Sequence, residues 1–115
     1  MENFENLSLA LIQEIKQLGY FTELIQLVDK DLSGKKGSSK INQVASENAF
    51  LEVLQNEINQ LDEFSPKLKQ LCYQVDLPEH IYHSYTRHPK EEFNFFIYHL
   101  LKRWHLKLVF RVNNN

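Results

Sequence analysis

Apolar residues recur at three- and four-residue steps through most of this chain. Phe4, Leu7, Leu11, Ile15 and Leu18 form the first such stripe, which predicts an amphipathic helix over 3–18, with Gly19 placed as its C-terminal cap. Phe21, Leu24, Ile25, Val28 and Leu32 repeat the pattern and predict a second helix. It runs into SGKKGSSK at 33–40, which reads as a flexible basic loop. From Ile41 the spacing of Val44, Leu51, Leu54, Ile58 and Leu61 predicts one long third helix whose outer side carries acids. Ser65-Pro66 then marks a new start, with serine as N-cap and proline at the first helical position.

Two segments carry both periodicities. In LCYQVDL, Leu71, Tyr73, Val75 and Leu77 alternate as in a strand, while Leu68, Leu71, Cys72 and Val75 fit a helix. Asp76 and Glu79 read as a capping box for a turn beginning near Pro78, which favours the helix. The tail LKLVFRV alternates in the same way through Leu106, Leu108, Phe110 and Val112. Between them lies the clearest element. Pro89 opens it, Glu91 and Glu92 suit its first turn, and Phe93, Phe96, Ile97, Leu100, Leu101 and Trp104 form a wide apolar stripe. The expected fold is therefore all-α, a single domain over 1–115 of four to five helices. The alternative is α+β, with a short two-stranded ribbon from 71–77 and 106–112.

Composition narrows the class. At 115 residues and 43% hydrophobic, the chain has the material for a core, and six Gly and Pro together do not suggest disorder. One cysteine excludes an internal disulfide. The N-terminal stretch carries glutamates rather than a basic region before an apolar run, so no signal peptide is expected, and no window is apolar enough to span a bilayer. A cytoplasmic protein with no membrane association is the expectation.

Charge is segregated along the chain. Glu2, Glu5, Glu14, Glu23, Asp29 and Asp31 dominate the first 32 residues, and residues 41–66 carry five acids and no base. After Glu92 there are no acids, while Lys102, Arg103, Lys107 and Arg111 follow. Two such regions can attract each other within the fold or across an interface. The basic set, with Trp104 and Phe110 interleaved, is also the candidate nucleic-acid-binding surface.

Candidate chemistry centres on HIYHSYTRHP at 80–89, where His80, His83 and His88 are the candidate metal ligands. HExxH is absent, and no histidine has a glutamate three residues before it. Asp76 and Glu79 are assigned as caps, so the stretch reads as a polar joint between helices. His99 and His105 flank the last helix with no nucleophile or orienting partner in view. Cys72 sits among apolar residues and reads as a small core hydrophobe. No catalytic residue and no cofactor are assigned. The function expected is that of a non-catalytic interaction or regulatory protein, with nucleic-acid binding as the alternative and a histidine-based metal site or enzyme as the second. Phe95, Tyr98 and Leu106 lie off the main stripe, and this surplus of apolar surface points to a second buried contact such as a homodimer.

Overall fold

A computed structural model describes residues 3–33, 40–62 and 65–113. Among the described residues there are six α-helices: α1 (Phe4–Gln17), α2 (Phe21–Ser33), α3 (Glu47–Asn59), α4 (Pro66–Gln74), α5 (Glu79–Arg87) and α6 (Phe93–Asn113). A 3₁₀ turn at Lys40–Gln43 precedes α3. No strand occurs among the described residues, so the fold is all-α and the 71–77 and 106–112 ribbon does not form. Most of the proposed flexible basic loop, residues 34–39, lies outside the described residues.

The helix count exceeds the expected four to five, and the reasons are local. The long helix from Ile41 is broken. Ile41 and Phe50 are nine residues apart, two and a half helical turns, so one continuous helix would send them to opposite sides. Both are fully buried, and the chain achieves this by ending the 3₁₀ turn and restarting at Ser46. The Ser46 hydroxyl accepts from the Ala49 amide at 3.1 Å, a side-chain N-cap. The second addition is α5, nine residues long, where a joint was expected.

Helix ends explain the other differences. Gly19 terminates α1 at φ +86°, with its own amide bonded to the Lys16 carbonyl and the Tyr20 amide to the Ile15 carbonyl. This is the Schellman arrangement. The same pair of bonds closes α4, from Asp76 to Tyr73 and from Leu77 to Cys72, with Asp76 at φ 59° in the glycine-like position. Asp76 is thus the C-terminal residue of one helix rather than the N-cap of the next, and the Asp76–Glu79 capping box is absent. Pro78 is the N-cap of α5, without a side-chain bond. Glu91 and Glu92 lie in the turn before α6, and Glu92 supplies the carbonyl that accepts from the Phe96 amide.

The two ambiguous segments resolve against alternation. Tyr73 is 86% exposed, whereas Leu71, Val75 and Leu77 are buried. Leu106 and Phe110 are 54% and 71% exposed while Leu108 between them is buried. A strand would have placed each set on one side.

Buried side chains from all six helices and Ile41 form one cluster, with Trp104, Phe50 and Phe96 the largest fully buried members. The most extensive pairing is α1 with α6. Phe4 meets Phe95 and Tyr98 near the start of α6, at ring-centroid distances of 5.1 and 5.7 Å. α3 runs antiparallel to α1, since Lys16 reaches Glu47 at 3.2 Å and Gln55 reaches Glu5 at 2.7 Å. Tyr85 of α5 stacks on Phe96 at 4.2 Å. Among the described residues no helix is long and apolar enough to cross a membrane.

A Cβ at position 19 meets no atom within 4 Å, so Gly19→Ala tests the backbone alone. The left-handed conformation then costs an L-residue about 1 kcal/mol. Urea denaturation is expected to show a loss of that size with an unchanged slope.

Candidate functional site

The basic residues of α6 divide into two pairs. Arg103 and Lys107 are one turn apart and turn toward the C-terminal end of α4. Arg103 Nε donates to the Val75 carbonyl at 3.2 Å and Nη2 to Asp76 Oδ2 at 3.3 Å. Lys107 Nζ donates to the Gln74 carbonyl at 3.2 Å and to Asp31 Oδ2 at 3.5 Å. Both cations therefore face the negative end of a helix and its unpaired carbonyls. Lys102 and Arg111 are exposed on the outside, with Lys102 Nζ 5.6 Å from the centre of the Tyr98 ring.

Asp31 ties this arrangement to α2. Its carboxylate also accepts from the Trp104 indole Nε1 at 2.8 Å, and its side chain is 7% exposed. A buried indole N–H needs an acceptor, and here it comes from a residue 73 positions earlier. Asp29, one turn before Ser33, is buried as well. Two of the six acids counted in the first 32 residues thus point inward, which the charge pattern alone does not reveal. The full burial of Trp104 was the signal that an acceptor had to be found.

The histidines do not converge. His80 and His83 are exposed on α5, and His88 caps its C-terminus, also exposed. Among the described residues no group of three or more His, Cys, Asp or Glu side chains is placed to hold a metal ion. Through Arg87 the 80–89 stretch is helical, with Ile81 and Tyr85 in the core and His80 and His83 exposed. The pKa of His99 is lowered, first by burial and then by Lys102 and His80, and its ring sits edge-on to Phe95 at 4.4 Å. Ser8 Oγ and His105 Nε2 are buried polar atoms without a hydrogen-bond partner among the described residues.

Cys72 is buried, and burial pushes its thiol up to about 12, the opposite of what a nucleophile requires. It forms part of a groove of about 300 Å³ between the end of α4 and the start of α5, together with Tyr73, Leu77 and Tyr82. A larger cleft of about 460 Å³, lined by Gln55, Asn56, Asn59, Lys90 and Asn94 among others, opens where α3 meets the start of α6. The smaller groove holds both Cys72 and His83, but burial keeps the thiol away from the thiolate form that a nucleophile needs.

What remains is an apolar surface on α6. Leu106 and Phe110 are one turn apart on the side opposite Trp104 and Leu108. The surplus stripe is thus split. Phe4 covers Phe95 and Tyr98, while Leu106 and Phe110 are largely exposed, with the exposed Lys102 one turn before Leu106.

Two predictions follow from these contacts. Asp31→Ala leaves the Trp104 N–H and the Lys107 ammonium without their shared acceptor. It is expected to cost about 2 kcal/mol, whereas Asp31→Asn, which keeps an oxygen for the indole, is expected to cost less. Denaturant titration of the two variants checks the order. For His99, the folded pKa lies below the unfolded value, so the unfolded chain binds the proton more readily. This contribution to stability is present above pH 6.5 and is lost as pH falls through the lowered folded value. The acid-side slope of melting temperature against pH is expected to be shallower in His99→Gln.

No family model, no curated protein and no solved structure matches this chain, and the functional reading rests on its geometry.

Proposed function

We propose that this chain is a non-catalytic interaction protein that binds a protein partner through the outer face of α6. The observation that carries the reading is the pair Leu106 and Phe110, exposed side by side on a helix whose opposite side is already committed to the core. Water-facing apolar side chains of this size lose little by being covered and gain roughly 25 cal/mol per Å² when they are. Lys102, exposed one turn before Leu106, supplies part of the polar rim that protein interfaces carry around an apolar centre. The cytoplasm is the compartment that suits a chain with a single thiol.

Nucleic-acid binding is the second reading. It draws on the absence of acids after Glu92, but Arg103 and Lys107 already spend donors on the end of α4. Phosphate contacts also give Leu106 and Phe110 nothing to bind.

A photo-reactive aromatic residue replacing Leu106, irradiated in cells, is expected to yield one discrete protein adduct. Phe110→Glu in the same chain is expected to remove it. No adduct, together with salt-sensitive oligonucleotide binding abolished by Lys102→Glu and Arg111→Glu, would establish the second reading instead.

A further inference from the structure

We infer that a trough along α3 is a second binding site, which takes an extended peptide segment of another protein with a carboxylate at the Lys90 end. Asn94, at its far end, is roughly 18 Å along α6 from Leu106, so the site is independent of the outer face of α6.

The cleft of about 460 Å³ does not end at Gln55. A second cleft, of about 370 Å³, lies between α1 and α3 beside Asn6, Asn48 and Glu52, and the two meet at Glu5 and Gln55. Asn48, Glu52, Gln55, Asn56 and Asn59 run the length of both on the α3 side. Their spacing confines them to one stripe about 100° wide, while Phe50, Leu54 and Ile58 face the core from the rest of the helix. Asn48, Asn56, Asn59 and Asn94 are exposed, and no hydrogen bond ties their side chains to another described residue. Gln55 spends one N–H on Glu5 at 2.7 Å and keeps its carbonyl oxygen as an acceptor.

A carboxamide presents an N–H and a C=O in one plane, the same pair that each peptide unit carries, so it can donate to one backbone group and accept from the next. The period fits as well. One turn of α3 advances about 5.4 Å, close to the two-residue repeat of about 6.6 Å in an extended chain. From Asn48 to Asn59 the stripe spans roughly 16 Å, enough for about five extended residues.

The two ends differ in chemistry. At the α6 end Leu61, Pro89 and Phe93 supply apolar contacts for one side chain. Among the described residues that line the trough, Lys90 alone is basic; it is exposed and stands in no ion pair with a described residue. A carboxylate of the peptide meets it there. At the α1 end Glu52 is exposed, and it suits a basic side chain further along the same peptide. A saccharide would need an open aromatic face to stack on. Tyr85 of the trough is 4% exposed and stacks on Phe96, and Phe93 is half-buried beside it.

The probes are peptides selected on the purified full chain from a random library displayed with free C-termini, then synthesised with an N-terminal fluorophore. Anisotropy titration reads Kd, and circular dichroism verifies that each variant is folded. Glu52, Asn56, Asn59 and Lys90 are exposed, so substitutions there leave the core intact. Wild type is expected to saturate with Kd on the order of micromolar. The double variant Asn56→Ala, Asn59→Ala and the single variant Lys90→Glu are each expected to weaken binding about ten-fold. Glu52→Lys is expected to weaken it less, and Leu106→Glu to leave it unchanged. Amidating the peptide C-terminus identifies the carboxylate. Loss of the Lys90→Glu effect assigns it to the terminus, and retention assigns it to an Asp or Glu side chain.

Peptides that bind the Asn56, Asn59 and Lys90 variants as tightly as wild type would overturn the site, as would a selection yielding none that saturates. Peptides lost only with Leu106→Glu would also overturn it, while supporting the proposed function of α6. Maltohexaose that saturates wild type but not the double variant, where no peptide does, would reassign the trough to a saccharide.

Discussion

The fold depends on how a fully buried indole finds an acceptor. Trp104 is the largest fully buried side chain, and its N–H would be left unsatisfied in the core without Asp31. An orphaned donor there costs about as much as one or two ordinary hydrogen bonds contribute. Asp31 in turn would be a nearly buried carboxylate if Trp104 and Lys107 did not meet it. Each group makes the burial of the other tolerable. Arg103, on the neighbouring turn, extends the same junction to the end of α4. Three helices far apart in sequence are thereby fixed at one point: α2 through Asp31, α4 through its terminal carbonyls, and α6 through one turn of mixed charge and aromatic character.

This junction accounts for the segregated charge better than a surface pairing would. The charge pattern left open whether the basic stretch would meet the acids of 41–66 within the fold or across an interface. Within the fold it meets Asp31 and Asp76 instead, and the α3 acid with a basic partner, Glu47, pairs with Lys16 of α1 at 3.2 Å. Partial burial of Asp31 gives its contacts weight that exposed pairs lack. Net charge along a chain shows that compensation is needed somewhere. Only packing decides which carboxylates turn inward.

The elements that were legible in the sequence are those where a single periodicity dominates. The α6 stripe is buried nearly as read, because six apolar positions at helical spacing leave no other side to bury. Gly19 and Ser65-Pro66 were legible because left-handed backbone and N-terminal caps have narrow residue preferences. The break before α3 was hidden, since Ile41 and Val44 continue the spacing in sequence. The requirement that Ile41 and Phe50 share a core appears only in three dimensions. Asp76 misled for a related reason. Aspartate serves as an N-cap and also tolerates positive φ, and the structure uses the second property. At the candidate site, the histidine-rich stretch was conspicuous and proved outward-facing. Tyr73 lies off the helical stripe of Leu68, Leu71, Cys72 and Val75, and the groove it lines with α5 exists only once the two helices pack.

The pairing of α1 with α6 has a consequence for how the chain reaches this state during synthesis. The first helix made packs most extensively against the last, and Phe4 waits for rings some ninety residues later in the chain. Until α6 has left the ribosome, Ile12, Ile15, Phe50 and Leu54 have only part of their cover, and Asp31 lacks its indole. The helices form early, being local, but the contacts that lock them are among the longest in the chain. Locking of these six helices accordingly waits until α6 has been made. Until then the inner faces of α1 and α3 lack part of the cover that α6 provides.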